Sequence, residues 1–472
     1  MPPTSPSPSL ASILVARFLR ANNYAETLSA FIREAGLPAD AGQVKGDDEE
    51  KNWTIEKVID EKKAFDRTVG FERYGKKGEK DVWSVPAPSN PKIVETTTSS
   101  NILACSVEPW RLSNNEENQD TSYLIATGAD KRVHLLKTQA ENDTVSSLSG
   151  LSDSPILSYV SIQNGEYACL TNMSGQLLLH RIGEILDQRK DHFKYAIKIV
   201  AFEDSDPETS IWIATAGWDS KIHLYNLHLP DPDTKPDSIA IGDPIASINL
   251  ASNPESILFV QHPGTNQLLL LVSRRDSTHL YYYKVQQEPA DTPYECPLLG
   301  KQNLAPHSNA WVAFSPSCLA LNPHDSGLLA VATSTLPHMK VIIVRLLFPS
   351  TDSLDVSGDG EPVTQATQAF GALALQNRED AAIVIQANTF APQTAYSTPQ
   401  VVWRPDGSGV WVNGDDGVIR GVEAKTGKVV TALKDGHVVG SKIRTIWAGW
   451  VDGEEWLVSG GFDKRLVVWK VE

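Results

Sequence analysis

Side chains able to do chemistry are spread thinly along this sequence. The four cysteines, Cys105, Cys169, Cys296 and Cys318, lie far apart, so no CxxC pair exists to bind a metal or to cycle between thiol and disulfide. The eleven histidines are scattered. There is no HExxH, no GxSxG and no glycine-rich phosphate loop. Only the aspartates recur with order: Asp130, Asp219, Asp276, Asp416 and Asp463 each fall between two short apolar runs. A carboxylate could serve as a general base. One that returns at every turn of a repeat is better explained by turn geometry, because Asp accepts hydrogen bonds from the backbone two residues on. No catalytic residue, cofactor or metal ligand is therefore assigned, and the chain reads as a non-enzyme whose business is recognition.

Those aspartates belong to a repeat of strand, tight turn and strand. Its seven copies include "YLIATGADKRVHLLKT", "IWIATAGWDSKIHLYNL" and "WLVSGGFDKRLVVWKVE". The turn positions are Asp130, Ser174, Asp219, Asp276, His338, Asp416 and Asp463. Six residues beyond each lie Leu136, His180, Tyr225, Tyr282, Val344, Val422 and Trp469, which predicts one turn length throughout. Further strands precede the copies, as in "NILACSVEP" and "SPILSYVSI". Each unit is then a small antiparallel sheet unable to bury both faces alone, and seven stacked radially make a mainly β, seven-bladed propeller. Alternation through Leu466–Val471 predicts a half-buried strand whose edge needs covering. Residues 92–98, "KIVETTT", are expected to lie beside it and close the ring.

Residues 91–472 resemble a seven-bladed WD-repeat propeller. The last unit matches best: Gly436-His437, Ser459, Asp463 and Trp469 stand where that family has its GH, serine, turn aspartate and tryptophan. The resemblance implies that His437, Ser459, Asp463 and Trp469 form a buried structural hydrogen-bond network. No repeat ends in Trp-Asp, and units two and five lack the turn aspartate. The resemblance also places the residue before the turn aspartate near a partner-docking rim. Trp218, Arg275 and Phe462 are the side chains of binding character there.

A second pattern opens the chain. Leu10, Ile13, Leu14 and Phe18 share one helical face, with Ser9 as cap. Asn22-Asn23 interrupts, as Asn tolerates the left-handed conformation. Tyr24, Thr27, Leu28, Phe31, Ile32 and Ala35 resume the period until Gly36 and Pro38. Two helices this short bury too little apolar surface to offset their ordering, so the hairpin needs a partner. A second copy making a four-helix bundle is the simplest one. The segment resembles the LisH motif through Leu10, Ile13, Phe18, Leu19, Tyr24, Phe31 and Glu34, with Asn23 where the family usually has glycine. That resemblance implies a homodimer or tetramer built on Leu10, Ile13, Leu14, Phe18, Leu19, Tyr24, Leu28, Phe31 and Ile32.

The predicted organisation is a disordered tail (1–8), the LisH hairpin (9–37), a linker (38–90) with a helix over 52–66, and the propeller (91–472). Residues 39–50 and 349–368 read as polar loops. A formal net charge of −16 argues against nucleic acid as a partner. Neither a secretory leader nor an apolar run long enough for a membrane is expected, which points to the cytoplasm, the nucleus or both. The expected function is a non-catalytic homo-oligomeric scaffold binding proteins or peptides on its propeller. The alternatives are a substrate-recognition or scaffold subunit of a ubiquitin ligase and, further off, a propeller-fold enzyme.

Overall fold

The computed structural model describes residues 10–43, 54–56, 83–97, 99–112, 121–139, 141–203, 211–229, 239–285, 295–307, 314–349 and 365–471. The chain divides into two units, Met1–Phe71 and Glu72–Glu472.

In the first unit, helix α1 (Leu10–Ala21) and helix α2 (Ala25–Glu34) form a hairpin. Asn23 takes φ +58° at the bend, and Tyr24 N–H donates to Leu19 C=O at 2.9 Å. Gly36, at φ +62°, ends α2, with Leu37 N–H donating to Ile32 C=O at 3.0 Å. The unit runs further than the predicted hairpin, because residues 39–43 are not a free linker. Arg20 Nη2 donates to the Ala39 and Ala41 carbonyls at 3.2 and 3.1 Å. Gly42, at φ +77°, packs so closely that a Cβ would meet Arg17 N at 2.6 Å. The predicted tail, the cap at Ser9 and most of the helix over 52–66 lie outside the described residues.

The second unit is a seven-bladed propeller of four-stranded antiparallel sheets. Blades 1 to 6 span residues 102–148, 156–189, 196–249, 254–303, 316–392 and 401–433. Blade 7 takes three strands from 443–470 and its fourth from Asn90–Val94. Seven apolar clusters each sit between two consecutive blades, from Ile125 with Leu170 in blades 1 and 2 round to Val458 with Leu124 in blades 7 and 1. The second strand of a blade is consequently buried on both faces, as in Ile211–Gly217 and Tyr167–Asn172. Fourth strands such as Glu184–Arg189 alternate toward solvent.

Four expectations are corrected here. The segment from Lys92 does lie beside Leu466–Lys470, but the closing strand is Asn90–Val94, pairing Asn90 with Lys470 and Val94 with Leu466; residues 95–97 are not part of it, and Thr98 lies outside the described residues. Leu466–Trp469 is buried throughout rather than alternating, since blades 6 and 1 cover its two faces. The turn length is not uniform. The cross-strand pairs Leu124–Leu136, Ala168–His180, Ile213–Tyr225, Val410–Val422 and Leu457–Trp469 are all twelve residues apart. In these five blades the residue after the turn position (Lys131, Gly175, Ser220, Gly417, Lys464) takes positive φ. Blade 4 is one residue shorter (Leu271–Tyr282), and Asp276 itself takes φ +58°. Blade 5 is three longer (Leu329–Val344), and His338 begins a strand instead of occupying the turn. Blade 5 also carries helix α3 (Gln365–Ala382) between its third and fourth strands, where part of a polar loop was expected.

Candidate functional site

In blade 7, His437 comes from the loop entering the blade, Ser459 from the second strand, Asp463 from the turn and Trp469 from the third strand. His437 Nδ1 lies 3.0 Å from Asp463 Oδ2 and its Nε2 2.8 Å from Ser459 Oγ. Trp469 Nε1 donates to the same Oγ at 3.0 Å. One proton arrangement satisfies every atom: Nδ1–H donates to the carboxylate, and Nε2 accepts from the Ser459 hydroxyl. Burial acts to raise the Asp463 pKa, yet the hydrogen bonds from His437, Val438 N and Arg465 N hold it below the usual carboxylate range. Gly436 is required beside this network, because a Cβ would lie 2.5 Å from the Trp469 ring.

Blade 3 contains a second network of the same kind, which the sequence reading did not identify. His192 Nδ1 lies 3.0 Å from Asp219 Oδ1 and Nε2 2.9 Å from Thr215 Oγ1. Tyr225 Oη donates to Asp191 Oδ2 at 2.9 Å. Blade 1 satisfies Asp130 differently, with His134 from the third strand, whose Nε2 is 3.1 Å from the carboxylate and whose Nδ1 is 2.9 Å from Ser147 Oγ.

His192, Asp219 and His223 bring one ligand atom each within 4.8 Å of one another, the one such trio among the described residues. The hydrogen bonds above already engage Asp219 and both nitrogens of His192. His223 Nδ1 is 2.8 Å from Ser247 Oγ, which leaves its Nε2 as the one uncommitted atom. A hydrogen-bonded network accounts for this trio without an ion. Burial pushes the Cys105, Cys169 and Cys296 thiols up to about 12 and raises Cys318 as well, which disfavours the thiolate at each.

What the two His–Asp networks do is hold apolar side chains outward. Asp219 Oδ2 accepts from Phe193 N–H at 2.9 Å, and Asp463 Oδ2 from Val438 N–H at 2.8 Å. Each entering loop is thereby fastened to the turn of its own blade, where Trp218 N–H donates to Tyr195 C=O and Phe462 N–H to Lys442 C=O. The result is two exposed groups on the same end of the sheets: Phe193 (81% exposed) with Tyr195 and Trp218, and Val439 (91% exposed) with Val438 and Phe462. Trp218 stacks on Tyr195 at 5.3 Å within its own blade, and Lys221 Nζ sits 5.3 Å from the Phe193 ring. Arg275, half-exposed, is held by Glu255 at 2.7 Å.

Among the described apolar side chains of the LisH unit, Ala16 and Leu28 are the buried ones. Ile13, Leu14, Phe18, Leu19, Phe31 and Ile32 are half-buried, and Tyr24, 6.4 Å from the Phe18 ring, is exposed. The side chain of Leu10 lies outside the described residues.

Residues 112–470 match the family model described as UCP007778, beta-propeller domain, and residues 11–41 match UCP007778, LisH domain. The chain is also similar to a Saccharomyces cerevisiae protein, Uncharacterized protein YGR117C. The identity is 22% over 395 residues, covering 73% of this chain and 76% of the relative.

Proposed function

Because the chain belongs to the UCP007778 family, with a LisH domain and a β-propeller domain, we propose that it is a non-catalytic, homo-oligomeric scaffold. It joins its own copies through the LisH unit and holds partner proteins on one end of the propeller. The observation carrying this reading is the pair of apolar groups around Phe193–Trp218 and Val438–Phe462, each pinned by an aspartate that its own blade has already saturated. Rigid exposed aromatics lose little entropy on binding and dominate interface energetics. The half-exposed hairpin face supports oligomerisation, which would raise the effective concentration of each binding face. No helix among the described residues is long and apolar enough to cross a membrane, and a site of action in the cytoplasm or nucleus belongs to the proposal.

The test is affinity purification from native cells, comparing the full chain with a Trp218→Ala/Phe462→Ala variant. Loss of the co-purifying proteins with a melting temperature within a few degrees of the parent is the expected result. Retained partners, or a collapsed melt, would remove the binding role from this surface.

A further inference from the structure

Trp83–Ala87 lies outside the seven sheets and outside both matched domains. Its neighbour across the fold is Arg404, fully buried between the first and second strands of blade 6. Arg404 Nη1 donates to the Val85 carbonyl at 3.1 Å and to Ser408 Oγ at 2.8 Å. Nη2 donates to the Pro86 carbonyl at 2.6 Å, and Nε and Nη2 hold the Glu455 carboxylate of blade 7 at 3.0 and 2.7 Å. The Trp83 ring covers the guanidinium, 4.7 Å from Cζ to centroid, and tilts against Trp411 at 5.2 Å. Two glycines make the room: a Cβ on Gly409 or Gly421 would come within 2.4 or 2.2 Å of the Trp83 ring.

We propose that this slot at the seam of blades 6 and 7 is a docking site for a Trp-x-x-Pro segment, with the chain's own Trp83–Pro86 as its resident, releasable ligand. Recognition uses an indole pocket floored by glycine and an arginine reading two successive carbonyls. Release is provided for in two ways. Arg404 keeps Glu455 and Ser408 when the segment leaves, so no buried charge is stranded. Seating also leaves the indole N–H groups of Trp83 and Trp411 buried with no acceptor among the described residues, an unfavourable contribution that vacating the slot relieves. The slot lies at the end of the sheets opposite the aspartate turns, so its occupancy and the binding face can be tested separately.

The experiment places a protease-cleavage sequence between Ala87 and Pro88 of the full chain. The protein is cleaved to completion without denaturant and run on size exclusion. The fragment ending at Ala87 is expected to co-elute with the propeller. Trp83→Ala should weaken that retention by roughly tenfold or more, and Trp83→Phe should restore part of it. A parent fragment that elutes apart, or a Trp83→Ala fragment held as firmly as the parent, would overturn the proposal.

Discussion

Ser459 serves two neighbours at once, accepting from Trp469 Nε1 while its own proton goes to His437 Nε2. Thr215 offers the same hydroxyl to His192 in blade 3. Two other buried histidines, His180 and His223, give the fold a pH dependence. Burial pushes His180 down to about 4, and its Nε2 accepts from Gly183 N–H at 3.0 Å. Burial, then the adjacent His192, lowers His223 to about 4 as well. Both folded values lie below the unfolded value of ~6.5. The unfolded chain therefore binds more protons between those limits, and stability is complete above ~6.5 and lost as pH falls toward 4. For His180 the loss by pH 5 is about 2 kcal/mol. Melting temperature should fall on acidification from pH 7 to pH 5, and less steeply in His180→Gln; parallel curves would refute the assignment. The blade 7 network was legible because Gly-His, Ser, Asp and Trp all stand in their expected places. Its blade 3 counterpart was hidden because Asp191, Thr215 and Tyr225 replace Gly, Ser and Trp: Thr215 keeps the serine's place beside the imidazole, while Tyr225 donates to Asp191 instead. The signal available was His192, standing 27 residues before Asp219 much as His437 stands 26 before Asp463.

At the scale of elements, the closing strand is the decisive piece. Val94 is buried in the cluster joining blades 7 and 1, whereas its neighbour Ile93 is half-exposed on the outer face. Val94→Asp puts an unpaired carboxylate into that cluster and should cost about 3 kcal/mol or more. Ile93→Asp should stay within about 0.5 kcal/mol, as surface changes do. Chemical denaturation of the two variants measures the difference; equal effects would mean the strand does not seal the ring. Hairpins were legible wherever a left-handed residue follows the turn position, since that conformation fixes one turn length. Blades 4 and 5 departed because other turn chemistry, at Asp276 and at Ser334–Pro337, sets their registers. Helix α3 was missed because its sequence lies beside the polar run that separates it from Arg345. The Trp83 contact was beyond sequence reasoning, because Val85 and Arg404 are 319 positions apart and spacing over such a range carries no information.

For the molecule as a whole, the proposed scaffold divides association and recognition between the two units. The apolar side chains of the hairpin, half-exposed in a single copy, give the proposed self-association its driving force. Light scattering on the full chain should return at least twice the 51.6 kDa chain mass. A chain starting after Glu50, or carrying Phe31→Asp, should return a single copy; an unchanged mass for either would place association elsewhere. The order in which the ring is written also matters during synthesis. Asn90–Val94 leaves the ribosome early, but the strand it must join, Leu466–Lys470, is encoded about 370 residues later. At 5–20 residues per second that interval is roughly 20–75 s. Throughout it, a strand meant for the last blade waits without its mate, and the ring stays open until the final strand is made.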